Sequence, residues 1–398
     1  MVTIPLPPVA ARIPNRAYGA ATRGSETNCT YNTGMAPLRG SFWVFVLYDV
    51  AEEIRIEKLR DLVGAETARP QPSFKHPAPE YVRFERPPAI EYPEPISLES
   101  GEKFEARIKY FDYGVASVEL KMEFEADWEQ LIRLSNRWIL APEIERRTAE
   151  LIQSRMERAA PALVQAYPAR LSEDYYIIHL REAVDEEGQA LTAPVMLARR
   201  GEQIAQIVRG ELRPLAESER REVLQSSLSY YPTDLLVTGW VAALVYDTME
   251  GAAPTIQLLE YANTQLLEFR HYDDVLTRVL ENVYKMLEHR GGFFRRWKMA
   301  GEAERLNTLR LDVRELTERT DNAIKFLSDM FYARAYRIAA ARVGVTDYRN
   351  LVEEKLRTAG ELYEFMMNEF HQARAFALEA MVVAILVIEL FSLFRGGH

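Results

Sequence analysis

The chain has 398 residues, 48% of them apolar and 27% charged, with a formal net charge of −10. That length and composition fit a folded protein with more than one core rather than a disordered chain. The acidic balance argues against a general affinity for nucleic acid, which needs a basic face to displace phosphate counterions. A single cysteine, Cys29, excludes an intrachain disulfide.

Residues 1–40 carry Pro, Gly, Asn and Thr without a period and read as a flexible arm with no apolar core of secretory-signal length. The first ordered element is SFWVFVLY from Ser41, a β-branched and aromatic run of buried-strand length. A short helix through Ile54, Leu59 and Leu62 stops at Gly64. Between 65 and 100 stand Pro70, Pro72, Pro77, Pro79, Pro87, Pro88, Pro93 and Pro95, which predict a long irregular connection. It holds at most a short edge strand over 81–85 and offers a place for a partner to bind.

Alternation predicts strands over 102–111 and 115–124, with Asp112-Tyr113-Gly114 as the hairpin turn. Helices follow over 127–140, capped by Asp127, and over 142–164, with Pro142 at the first helical position. A strand over 174–181, helices over 192–210 and 217–228, and a strong strand over 235–246 (LLVTGWVAALVY) complete an α+β domain spanning 41–250.

Composition changes at Pro254, because all 20 prolines lie at or before it. Proline costs about 3 kcal/mol inside a helix, so its absence marks continuous helices. Breaks at Gly291, Gly292, Gly301 and Gly344 divide the remainder into helices of about 255–290, 302–343 and 345–395. The first carries a heptad stripe, Leu259, Ala262, Leu266, Phe269, Asp273, Leu276, Leu280, Val283 and Leu287. The third gives Val345, Tyr348, Val352, Lys355, Ala359, Leu362 and Met366. Residues 251–374 therefore read as a long antiparallel, coiled-coil-like region. Its polar exceptions are Asp273 and Lys355. Folding back at the glycine breaks puts Asp273 level with about residue 318, within reach of Arg319 or Asn322, and Lys355 one turn from Asp329. Such pairs form a buried polar seam that fixes register.

The turn at 291–301 alternates Phe293, Phe294 and Trp297 with Arg295, Arg296 and Lys298. It reads as a contact with lipid headgroups or as a solvated hairpin tip. Residues 375–395, AFALEAMVVAILVIELFSLFR, follow Arg374 and end on Arg395. Twenty residues at about 1.5 Å each match the hydrocarbon thickness of about 30 Å. Glu379 and Glu389 stand inside the stretch and require partners. The expectation is a transmembrane helix that anchors a single-pass protein in the bacterial or mitochondrial inner membrane, with the bulk of the chain in the cytoplasm. The alternative is a helix buried between subunits of a homo-oligomer.

Arg374, Leu378-Glu379 and Ile385-Leu386-Val387-Ile388-Glu389 resemble the C-terminal signature of the required-for-meiotic-nuclear-division family. Tyr113-Gly114-Val115 is similar to that family's Gly-Val strand. The resemblance implies an α+β domain, long helices and a hydrophobic C-terminal segment. It also implies a membrane-anchored oligomer without established enzymatic activity, whose organellar members support mitochondrial translation as scaffolds near the inner membrane.

No P-loop, GxGxxG, HExxH, GxSxG or CxxC pattern occurs, and no histidine has a second His or Cys at metal-ligand spacing. No cofactor or metal is expected. The densest polar set on a helix is Glu260, Asn263, Glu268, Arg270 and Asp273, readable as an active site or as a salt-bridged seam between helices. The function expected is a non-enzymatic, membrane-anchored oligomeric scaffold whose α+β domain takes a protein partner. One alternative is a channel or transport protein with a soluble head and a helical stalk. A second is an enzyme using the Glu260–Asp273 cluster.

Overall fold

Strand β1 (Leu38–Asp49) is apolar on both sides and forms the middle of a large sheet. The computed structural model describes residues 38–67, 87–168, 170–184, 188–288, 301, 304–315, 317 and 330–395. In chain order, β1 is followed by β2 (Ala51–Ile54), α1 (Ile56–Val63), β3 (Glu66–Thr67), β4 (Ala89–Glu91), β5 (Ile96–Ser97), β6 (Lys103–Tyr110) and β7 (Val115–Ala126). Then come α2 (Trp128–Trp138), α3 (Pro142–Ala159), β8 (Leu163–Ala166), β9 (Ser172–Glu182), α4 (Ala193–Arg209), α5 (Glu217–Leu224), β10 (Ser227–Leu228), β11 (Leu235–Thr238) and β12 (Ala242–Tyr246). The helical region holds α6 (Met249–Glu288), α7 (304–315), α8 (Met330–Val343) and α9 (Val345–Arg395). The α+β class read from the sequence is the class observed: a sheet domain followed by long helices.

The sheet runs β10-β11-β12-β9-β1-β7-β6-β4-β3. Every pairing is antiparallel except β12 with β9. Period-2 alternation sorts β1 between two cores. Phe42, Val44, Val46 and Tyr48 pack under α2, α3 and α4, while Trp43, Phe45 and Leu47 pack under α6 and α8. A strand covered on both faces must be apolar throughout, which is why SFWVFVLY reads as an unbroken run.

Local signals explain the elements that feed this sheet. Asp127 and Gln130 make a reciprocal capping box at the start of α2. The β6–β7 turn needs Gly114, at φ 94°, because a Cβ there would lie 1.9 Å from the carbonyl oxygen of Ala51.

Expected elements differ at several points; the helix expected over 217–228, for instance, ends at Leu224 and gives way to β10. The helix expected over 142–164 ends at Ala159, since Pro161 cannot continue it, and β8 follows. The single strand expected over 235–246 is a hairpin, β11 and β12, reversed at Gly239, whose N–H donates to Ala242 O at 2.8 Å. Helix α6 begins at Met249, ahead of Pro254, because Thr248 accepts from Gly251 N–H at 3.1 Å and caps it.

In the helical region α6 and α9 run in the same direction: Asp273 meets Lys355, and Val279 and Val283 share a cluster with Ala359 and Met366. Helix α7 returns between them, with Leu306 in that cluster and Val313 in the core beneath the sheet.

Among the described residues, no helix is long and apolar enough to cross a membrane. Residues 375–395 are the end of the 51-residue helix α9 rather than a separate span. Between Glu379 and Glu389 lie nine residues, about 14 Å of helix against a hydrocarbon thickness of about 30 Å. The single-pass placement in an inner membrane is withdrawn with it.

Candidate functional site

The densest group of buried charges lies where α6 crosses the β6–β7 hairpin. Both strands alternate, so Phe104, Ala106, Ile108 and Tyr110 enter the core under α2 and α3. The intervening Arg107 and Lys109 therefore point to the other face. In register across the hairpin, Arg107 stands opposite Glu119 and Lys109 opposite Ser117. A polar face of an antiparallel sheet normally meets water. Here α6 covers part of it, and Glu260 arrives from the helix.

Lys109 Nζ bridges Glu119, at 3.2 Å, and Glu260. Ser117 Oγ–H donates to Glu260 Oε1 at 2.8 Å, so both carboxylate oxygens of Glu260 are engaged. Arg107 donates to Glu119 Oε1 at 2.6 Å. The side chain of Glu260 is 2% exposed and that of Glu119 5%. Burial by itself pushes the Glu119 carboxyl up, but the charges of Lys109 and then Arg107 outweigh it and hold it below the usual carboxylate range. One turn along α6, Tyr113 O–H donates to Thr264 Oγ1 at 3.2 Å, and Asn263 donates to Leu259 O at 2.8 Å.

The rest of the polar set does not converge on this point. Arg270 pairs with Glu173. His271, its neighbour, donates from Nδ1 to Asp49 at 2.6 Å and stacks on Tyr167 at 4.6 Å. Burial pushes the Asp49 carboxyl up, against the hydrogen bond and charge of His271. Asp273 is further along, bound to Lys355 Nζ at 2.5 Å, and Lys355 also donates to Thr277. The two polar exceptions of the heptads thus pair with each other. The partners expected for them, Arg319 or Asn322 and Asp329, lie outside the described residues, as do Phe293, Phe294, Arg295, Arg296, Trp297 and Lys298 and the edge strand over 81–85. Glu379 is exposed, and the side chains of Arg374, Glu389 and Arg395 lie outside the described residues.

Two further clusters have functional appearance. Ser41 Oγ and His179 Nδ1 are 3.2 Å apart, in the manner of a nucleophile and base. His179 Nε2 donates to Asp247 O at 2.9 Å, so Nδ1 accepts from Ser41, and burial keeps the ring pKa below its ordinary value. Both side chains are fully buried in the sheet, which gives a substrate no approach. An open cleft of about 750 Å³ lies between α4 and α5, bordered by Arg220, Arg221 and Glu222. These are engaged by Glu217 and by Arg209 and Arg342. Among the described residues no group of His, Cys, Asp or Glu is arranged to hold a metal ion.

Sequence reasoning found Glu260 but missed Lys109, Ser117, Glu119 and Arg107. Their alternation with apolar residues is the ordinary mark of a solvated strand face, and only the helix above them changes its meaning.

Comparison with known proteins places the sheet domain. The uncharacterized protein MJ0711 of Methanocaldococcus jannaschii is 20% identical over 187 residues, which cover 47% of this chain and 57% of that protein. The chain thus spans little more than half the length of that relative. No solved structure matches. The resemblance to the required-for-meiotic-nuclear-division family is overturned, because it rested mainly on residues 374–389, whereas the family match covers 39–253, the sheet domain and the first turn of α6. With more than half of its length matched, the chain belongs to the family described as the N-terminal domain of uncharacterized protein MJ0711.

Proposed function

We propose that this protein is a non-catalytic scaffold in which the sheet domain is a platform held rigidly to a helical arm. The observation that carries the reading is the ion network of Arg107, Lys109, Glu119 and Glu260. These are the groups best placed for acid–base work, and they are spent on one another. Each carboxylate accepts from two donors, and the charges on the two sides balance. Removing one member of such a buried set leaves an uncompensated charge, so α6 is held tightly to the β6–β7 hairpin. A platform and an arm fixed in this way present partners at a set distance and angle.

Hydrogen exchange tests the reading. Amides of β6, β7 and the first half of α6 are expected to open as one unit, and Glu260→Ala is expected to speed exchange in all three. An arm that exchanges independently of the sheet overturns the proposal. So does a turnover that Glu260→Gln abolishes while the fold persists.

A further inference from the structure

Ten large apolar side chains between Phe376 and Leu390 are exposed on α9, including Phe376, Met381, Ile385, Leu386 and Ile388, each half exposed or more. Upstream the same helix is buried: Val352, Ala359 and Met366 are closed against α6 and its neighbours. Met366 lies level with Val283, and α6 is described only to Glu288. From Met366 helix α9 runs on for about 44 Å to Arg395.

We propose that this end of α9, residues 375–390, is covered by the same segment of other copies of the chain. Three features favour that occupant. The first is area. At roughly 90 Å² apiece, ten such side chains present about 900 Å² around the whole circumference of the helix, more apolar area than the ~300–600 Å² of the largest patch on a typical monomer. A seam between two copies covers the four that face it, Leu378, Met381, Ile385 and Ile388, about 700 Å² over both copies, so covering the rest takes further copies around the same bundle.

The second is phase. At 100° per residue, Ala377, Met381, Ala384 and Ile388 lie within about 40° of the direction opposite Glu379. Their spacing of four, three and four is a coiled-coil seam, alternating small and large side chains so that identical helices interdigitate. The seam leaves Glu379 at the outside of the bundle, where it is hydrated. The third is continuity. The stripe of Leu356, Gly360, Tyr363 and Met367, which lies on the side of α9 packed within the chain, runs in the same heptad phase through Phe370 and one charged position, Arg374, into Ala377 and Met381. An apolar stripe that packs on α6 and α7 along one length finds an equivalent surface on another copy along the next. This deepens the scaffold reading and rests on it for the purpose of assembly, not for the interface itself.

Sedimentation velocity of the full chain without detergent tests the proposal. The expected result is a particle of two or more 45.8 kDa chains. Ile388→Asp and Met381→Asp are expected to reduce it to one chain with unchanged far-ultraviolet dichroism, and Glu379→Gln to leave it assembled. A single-chain wild type overturns the proposal. So does a particle whose mass the double variant leaves intact, although the scaffold reading then survives with its interface elsewhere. Flotation with phosphatidylcholine–phosphatidylglycerol vesicles is the remaining arm. A wild type that is monomeric alone and floats with them has lipid, not another copy, on this face. Independent exchange of arm and sheet defeats the scaffold reading while leaving the assembly result untouched, so the two failures are distinguishable.

Discussion

Helix α6 carries two ion pairs about four turns apart that look alike in sequence, each a charge interrupting an apolar helix. At Glu260 the helix lies on the sheet, and the side chains of the pair Lys109–Glu260 are 11% and 2% exposed. At Asp273 it has left the sheet for α9, and those of Lys355–Asp273 are 27% and 18% exposed. The difference teaches that burial, not charge pattern, sets what such a pair does. The first locks two layers together and leaves almost no hydration to fall back on if broken. The second sets the register of two helices and is open to water on one side.

The largest effect is expected from breaking the first pair. Glu260→Ala strands Lys109 beside a single remaining carboxylate and should cost about 3–5 kcal/mol in urea unfolding. The double change Lys109→Met with Glu260→Leu should recover most of that, because replacing both charges by apolar groups removes the desolvation cost. If Glu260→Ala costs less than about 1 kcal/mol, water reaches the network and the contrast between the two pairs disappears.

A smaller effect is expected from acid, and it should be confined to the sheet domain. His179 is buried with its pKa below the ordinary value, so its contribution is complete above an unfolded pKa of about 6.5 and is lost as pH falls through the depressed folded value. Glu119 also titrates below its ordinary value, so its contribution is complete above about pH 4.5 and declines at lower pH. Melting temperature should fall in two stages below about pH 6.5, and His179→Asn should remove the first stage while keeping the second. A first stage that persists in that variant assigns it to another group.

The fold was legible in sequence where one local signal decided the element. Asp127 with Gln130, the Asp112-Tyr113-Gly114 turn and the unbroken apolar run of β1 each specify their own geometry. Sequence reading failed where meaning depended on a distant neighbour. Gly239 inside LLVTGWVAALVY reverses the chain because β12 pairs with β9 and β11 with β12, and nothing within those twelve residues announces it. Pro254 looked like the boundary before a helix, whereas the cap at Thr248 starts α6 earlier. The candidate site was half visible. Glu260 stood out on its helix, but Lys109 and Glu119 sit at alternate positions of a hairpin, where charges ordinarily face solvent. Asp273 and Lys355 stood out as exceptions to their heptads. That they meet each other follows from α6 and α9 lying side by side, a fact of packing that heptad counting along single helices does not contain.

The smallest effect is expected at that second pair, and it sharpens the comparison most directly. Lys355→Met removes one charge from a pair that water already reaches, so Asp273 is hydrated rather than stranded. The loss should be about 1 kcal/mol or less, and raising salt toward 1 M should erase much of the difference between variant and wild type. The Glu260 network should keep its advantage in the same salt, because counterions cannot enter it. Thr277 gives a further control. It accepts from Lys355 in the wild type and loses only a neutral contact in the variant. Should Lys355→Met cost as much as Glu260→Ala, exposure is not what separates the two pairs, and the arm is held to α6 as tightly as α6 is to the sheet.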